Sequence, residues 1–128
     1  MTLFLYLFVI SCADARISSC RQLVKIILPL EEKISTLNDN DLEMILDTAT
    51  TFELTSKIIN EQTFEDNNLQ RYSLKLSQIY QEYGENTRKF IDAYQTKNQD
   101  EGIFYQQKII NLFSQQNEVI NEINDYCK

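Results

Sequence analysis

The residues with the most distinctive chemistry are the three cysteines, Cys12, Cys20 and Cys127. Two thiols that lie close together in an oxidising compartment form a disulfide, whereas a lone cysteine acts as a nucleophile only beside a suitable base. The chain contains no histidine, so the usual base for a cysteine or serine nucleophile is missing. We therefore interpret the cysteines as structural and not as catalytic groups.

The amino-terminal segment determines which cysteines can pair. Residues 3–10 form an unbroken apolar run, and Ala13 and Ala15 flank Asp14 just after it. A short apolar run followed by small residues is typical of a secretory signal peptide. We predict that residues 1–15 are such a peptide, that cleavage precedes Arg16, and that residues 16–128 form one domain.

Cleavage at this point would remove Cys12 and leave Cys20 and Cys127 in a secreted, extracellular protein. An even number of cysteines in such a chain predicts a disulfide between them. No apolar run approaches the ~20 residues that cross a bilayer, so we expect no membrane insertion after cleavage.

A cluster of carboxylates, Asp39, Asp41 and Glu43, has the alternating spacing of a calcium-binding loop. That loop needs a glycine at its sixth position and a glutamate at its twelfth, where this chain has Met44 and Thr50. Di-iron helical bundles combine glutamates with histidines, which are absent here. We expect these residues to cap a helix and form a turn, with no metal, no cofactor and no enzymatic activity.

The net charge of −7 limits the possible partners. The basic residues are scattered singly except for Arg88 and Lys89, so no basic patch is formed in the sequence. Phosphate backbones and anionic lipid surfaces would repel such an acidic chain. We therefore exclude nucleic acid as a partner.

Two groups of large side chains are candidates for binding. Tyr80, Ile91 and Tyr94 lie beside the main apolar stripe of the third periodic segment and would widen it into a contact surface for another protein. Tyrosine is enriched in such surfaces. Packing within the core and at its rim is the alternative account of these side chains.

The second group would line an internal cavity. Phe52, Phe90 and Phe113 come from three different segments, and polar residues interrupt the apolar stripes near them. A cavity with apolar walls and a few polar groups is typical of small-molecule sites between bundle helices. A satisfied polar layer in a packed core is the alternative. The interrupting residues are Ser56, Asn86, Gln106 and Gln116.

The helices that position these residues can be predicted from the sequence, because apolar residues recur every three or four positions, which is the period of an amphipathic helix. Pro29 predicts a kink or short break in the first segment, whereas the spacing passes through Gly84 without a change of phase and predicts one long third helix. We predict four helices. They span about 17–37, 40–59, 68–96 and 100–126, with N-caps at Asn40 and Asp100. We expect Phe64 to be exposed in the second loop. The buried stripe of the last helix should consist of Ile109, Phe113, Ile120 and Ile123.

The disulfide constrains how the helices are arranged. In an up-and-down bundle an even number of helices brings both chain ends to the same end, and a disulfide needs Cα atoms within ~7 Å. We therefore predict an all-α fold, an antiparallel up-and-down four-helix bundle closed by one disulfide between Cys20 and Cys127.

These patterns favour a secreted, non-enzymatic helical protein that acts through protein–protein interaction, as a monomer or weak homodimer. The alternative is an extracellular carrier of small apolar ligands bound between the helices, and a structural or self-assembling role is a third. A large apolar cavity would favour the carrier, and a solid core with an exposed apolar patch would favour the interaction role.

Overall fold

The computed structural model describes residues 2–128, and the side chains of residues 15–128. The chain forms α1 (Thr2–Ser35), α2 (Leu42–Glu61), α3 (Asn67–Gln95) and α4 (Gln99–Cys127), and the described residues contain no strand. The all-α prediction is confirmed. The predicted signal peptide falls almost entirely outside the described side chains and stays a prediction. Over the described residues, no helix is both long and apolar enough to cross a membrane.

The helices are arranged as a bundle closed by the predicted disulfide. Cys20 of α1 is bonded to Cys127 of α4, with their Cα atoms 6.0 Å apart. Helix α3 packs extensively against both α2 and α4, whereas α1 rests mainly on α2 and has few contacts with α4. The disulfide is therefore a principal connection between the first and last helices.

Both helices with a potential breaker are continuous. Helix α1 continues through Pro29, which lies on an exposed face where solvent can hydrate the carbonyl that proline leaves unbonded. Helix α3 continues through Gly84, as predicted. Gly84 is buried against α2, and a Cβ atom there would lie 2.5 Å from Cγ of Glu53 and 2.9 Å from the carbonyl oxygen of Ala49. The glycine therefore allows the two backbones to approach closely.

Two predicted N-caps are wrong by one or two residues. The side chain of Asn38 accepts the backbone N–H of Asn40 in a turn, so Asp41 caps α2 by accepting the N–H of Met44. At the third connection, Lys97 adopts a left-handed conformation with φ 59° and ends α3 in a tight turn. The N–H of the next residue, Asn98, bonds back to the α3 carbonyl of residue 93, and its side chain caps α4, in place of Asp100.

The most deeply buried part of the core is formed by side chains of α1, α2 and α3. Leu23, Leu30, Ile59, Leu69 and Leu76 are almost completely buried. Ser56 and Ser77 continue the close contact between α2 and α3. Their hydroxyl oxygens lie 2.9 Å apart, and each hydroxyl is also within hydrogen-bonding distance of the other serine's backbone carbonyl.

Phe64 and Phe113 contradict the predicted burial pattern. Phe64, predicted to be exposed, is 3% exposed because its loop folds back and its N–H donates to the side chain of Gln70. Phe113, predicted to lie in the buried stripe, is 54% exposed. Helix α4 is rotated by about one residue relative to the predicted stripe, and its buried residues are Leu112, Gln116, Val119 and Ile123.

Candidate functional site

A cavity of about 750 Å³ lies between the four helices, in the half of the bundle away from the disulfide. All four helices and the α1–α2 loop contribute to its wall. Its apolar lining consists of Ile34, Leu37, Ile45, Ala49, Phe52, Tyr83, Phe90, Ile109, Phe113 and Ile120.

The three phenylalanines that the sequence nominated for a cavity are brought together here. Phe52 is 3% exposed, and its ring stacks on that of Tyr83 with their centroids 4.3 Å apart, so these two aromatics form a rigid wall. Phe113 is half-exposed and lies where the cavity meets solvent. The same rotation of α4 that removes Phe113 from the core therefore places it at the mouth of the cavity.

Helix α4 can face both the core and the cavity because it carries two adjacent apolar stripes. One contains Leu112, Val119 and Ile123 and is buried in the core. The other contains Ile109, Phe113 and Ile120, which line the cavity. Residues spaced by three, four or seven lie on one face of a helix, so neighbouring stripes differ by about one residue, or roughly 100° of rotation.

The four polar residues predicted to border a cavity divide into two pairs. Gln106 and Gln116 line it. Ser56 is buried in the contact with α3, where its hydroxyl donates to the carbonyl of Ser77. Asn86 lies on α3 and donates to the carbonyl of Glu82 within its own helix. The last two therefore have structural roles.

The polar part of the lining has few free hydrogen-bond donors. The hydroxyls of Thr48 and Thr87 donate to backbone carbonyls one turn earlier, each at 2.7 Å, which leaves their methyl groups as the accessible wall. The amides of Gln106, Gln116 and Asn117 and the hydroxyl of Tyr83 are the remaining donors, and Glu31 and Asp39 supply carboxylates. No Lys or Arg is present among the residues described as lining this cavity.

Tyr80 packs behind the aromatic wall. Its ring lies edge-on to Phe52 with the centroids 5.5 Å apart, and its hydroxyl is buried with no hydrogen-bond partner in the described structure. Burial raises the pKa of Tyr80 far above its ordinary value, and the negative charge of Glu31 raises it further. The side chain therefore stays neutral at physiological pH.

Tyr80, Ile91 and Tyr94 do not form the exposed partner-binding face that was predicted, because two of the three side chains are buried. Tyr80 is 0% exposed and Ile91 is 5% exposed, and only Tyr94, at 74%, faces solvent. The physical reason is the central position of α3, which packs against α2, α4 and α1 and so buries a wide arc of its circumference.

A second depression, of about 980 Å³, lies between the end of α3 and the start of α4. It shares Phe90 and Gln106 with the cavity, but its wall comes from only these two helices and the turn at Lys97. We regard it as a surface groove and the space between four helices as the better candidate site, because walls from four helices remove more apolar ligand surface from water.

The lining of the cavity was predictable from the sequence only in part. Ile34 and Leu37 belong to the apolar stripe of the first helix, so their inward direction was predictable. Glu31 and Asp39 lie outside any periodic pattern, and only the course of the chain around the α1–α2 loop brings them to the cavity.

Among the described side chains, no three His, Cys, Asp or Glu residues come close enough together to hold a metal ion. Comparisons with protein families, with curated proteins and with solved structures find no match for this chain.

Proposed function

We propose that the protein is a secreted, non-enzymatic carrier of small apolar ligands, which it binds between its four helices. The observation that carries this proposal is the convergence of Phe52, Phe90 and Phe113 on one cavity of about 750 Å³. Ligand sites in proteins are usually concave, mostly apolar and ~300 to 1,000 Å³ in volume. The intramolecular disulfide supports secretion, because disulfides persist mainly in oxidising compartments.

The walls are suited to an apolar ligand because burial of apolar surface is the main source of free energy available there. Phe52, Tyr83 and Phe90 offer flat aromatic surface, and Ile109 and Ile120 offer branched aliphatic surface. Each Å² of apolar area removed from water contributes ~25 cal/mol. The stacked pair of Phe52 and Tyr83 is held in place before any ligand arrives, which limits the entropy lost on binding.

The test is a fluorescence titration with N-phenyl-1-naphthylamine, an uncharged aromatic probe whose emission rises in apolar surroundings. We expect one probe to bind per chain with a dissociation constant on the order of 10 μM. Phe113→Ala should weaken binding about tenfold, because it removes an aromatic wall at the mouth of the cavity.

Ile110→Ala is the matched control. Ile110 is on the same helix and is also 54% exposed, but it does not line the cavity. Probe affinity should be unchanged in this variant. Equal affinity in the wild type and Phe113→Ala, or an equal loss in both variants, would contradict the proposed site.

A second candidate function is recognition of another protein, favoured by exposed apolar side chains on α4. Ile103, Phe104 and Ile110 are each more than half exposed on this helix. The native mass of the protein secreted from eukaryotic cells separates the two functions. A retained mass of a few hundred daltons that is lost on denaturation supports the carrier, whereas a bare dimer supports protein recognition.

A further inference from the structure

The charged residues that line the cavity are both acidic. Glu31 lies on the last turns of α1, and Asp39 lies in the loop that follows, so both carboxylates are at the loop end of the cavity. Both residues are exposed, and neither takes part in an ion pair in the described structure. A ligand that enters from this end therefore meets two negative charges.

The cations of this half of the bundle are directed elsewhere. Lys33 pairs with Asp47, and Arg88 donates to Glu53 at 2.7 Å and to Thr50 at 2.6 Å. The ammonium groups of Lys89 and Lys108 lie over the rings of Tyr105 and Phe104. Lys97, in the turn between α3 and α4, lines the neighbouring groove and not the cavity. The lining therefore offers no positive charge to a ligand.

An anionic head group would be poorly accommodated in this cavity. The hydroxyls of Thr48 and Thr87 already donate to the backbone, so only uncharged donors, the side-chain amides and the Tyr83 hydroxyl, are left for a ligand carboxylate. A charge removed from water without a partner is strongly unfavourable. A protonated amine, in contrast, could remain at the rim and donate to the carboxylates while its apolar body fills the cavity.

We propose that this cavity selects cationic amphiphiles, apolar molecules that bear one protonated amine, and places the ammonium group between Glu31 and Asp39. The apolar body lies against the phenylalanine wall. This inference rests on the proposed carrier function and specifies its ligand class.

The experiment compares three probes that share one ten-carbon chain and differ only in their head group: decylamine, decan-1-ol and decanoate. Each displaces N-phenyl-1-naphthylamine from the full chain at pH 7 in low salt. We expect decylamine to bind most tightly and decanoate most weakly, with about a 30-fold ratio between the two. Added sodium chloride should reduce this ratio and leave decan-1-ol unaffected.

The double variant Glu31→Gln, Asp39→Asn removes the two rim charges with little change in shape. We expect it to reduce the amine-to-acid ratio to roughly threefold and to change the affinities for decan-1-ol and for the aromatic probe by less than about twofold. The matched control is Glu32→Gln, Glu43→Gln, which removes two exposed carboxylates from the same end of the bundle that do not line the cavity. Its ratio should stay close to that of the wild type.

Failure of this inference is distinguishable from failure of the carrier function. If decan-1-ol and the aromatic probe bind but decanoate binds as tightly as decylamine, only the amine selectivity is overturned. The same holds if the control variant loses the ratio as completely as the rim variant, because the overall charge would then be responsible. If the uncharged probes do not bind at all, the carrier function itself is overturned.

Discussion

The hydroxyl groups of Tyr80 and Tyr126 differ in their hydrogen bonding. The hydroxyl of Tyr80 is buried without a partner. That of Tyr126 donates to Asp66 at 2.7 Å and accepts from Asn68 at 3.1 Å, which joins α4 to the start of α3. A buried polar group without a partner is destabilising, and a hydrogen bond to a carboxylate is stabilising.

We therefore expect the two Tyr→Phe substitutions to have opposite effects on stability. Tyr80→Phe should raise the free energy of unfolding by about 1 kcal/mol, since the unsatisfied hydroxyl is removed. Tyr126→Phe should lower it by about 1 to 2 kcal/mol. Urea unfolding followed by circular dichroism measures both. A loss of stability in Tyr80→Phe would show that its hydroxyl has a partner.

Alkaline pH should destabilise the protein through Tyr80. Burial raises the pKa of this group above the ordinary value of 10.0, and burial also raises the pKa of Tyr83. Above pH 10 the unfolded chain releases these protons while the folded chain keeps them, so the free energy of unfolding falls as the pH rises. The contribution is fully present below pH 10.

Urea titrations between pH 8 and pH 11 test this pH dependence. Tyr80→Phe should show a shallower fall above pH 10 than the wild type. Parallel curves for the two proteins would contradict the assignment to Tyr80.

At the scale of the helices, the two glycines should respond differently to alanine. A Cβ at Gly84 would collide with Ala49 and Glu53 of α2, whereas nothing lies within 4 Å of a Cβ at Gly102. Alanine favours a helix over glycine by ~1 kcal/mol. Gly102→Ala should gain about this amount. Gly84→Ala should lose about 1 to 3 kcal/mol, because the forced separation of α2 and α3 outweighs the helical preference.

Thermal unfolding of both variants against the wild type is the measurement. Since each substitution adds the same methyl group inside a helix, Gly102→Ala controls for helical preference. A stabilised Gly84→Ala protein would mean that α2 and α3 are not in close contact at this point.

The orientation of α4 is tested by two adjacent residues. Leu112 is 5% exposed, and Phe113 is 54% exposed. Leu112→Ala should lower the free energy of unfolding by about 3 kcal/mol, and Phe113→Ala by less than about 1 kcal/mol. Denaturant unfolding measures both values. A larger loss of stability in Phe113→Ala than in Leu112→Ala would instead support the orientation of α4 that the sequence predicted.

The helices were predictable because their apolar spacing is regular, but their ends and rotations were less so. The position of the α4 cap depends on Lys97, a residue without glycine's freedom that nevertheless adopts a left-handed conformation. The rotation of α4 was ambiguous because Leu112 and Phe113 are adjacent and each belongs to an apolar stripe. Periodicity does not determine which stripe faces the core.

For the whole molecule, the disulfide should be the largest single contribution to stability. It closes a separation of 107 residues, for which the chain-entropy model gives ~4 to 5 kcal/mol. The double variant Cys20→Ser, Cys127→Ser should lose about this free energy of unfolding in urea. Because α1 has few other contacts with α4, and both line the cavity, probe affinity should also fall.

The reduced wild-type protein provides the control for these two serines. It should match the double variant in both stability and probe affinity. An oxidised protein that is no more stable than the reduced one would contradict the expected contribution of the disulfide.

The arrangement of the whole bundle was predictable from one chemical constraint, whereas the cavity was predictable only in part. The pairing of Cys20 with Cys127 required an even number of helices, and the described residues form four. Phe52, Phe90 and Phe113 were identified from their residue type and spacing. The acidic rim was not, since the position of a loop residue such as Asp39 depends on the tertiary path of the chain.

The closed covalent loop also affects how the protein would withstand proteases. The three connections between helices, residues 36–41, 62–66 and 96–98, all lie between Cys20 and Cys127. Exposed loops are where endoproteases usually cut. A single cut in any of these loops leaves the two fragments joined through sulfur, so a nicked molecule keeps all four helices together. Its fragments would separate on a gel only after reduction.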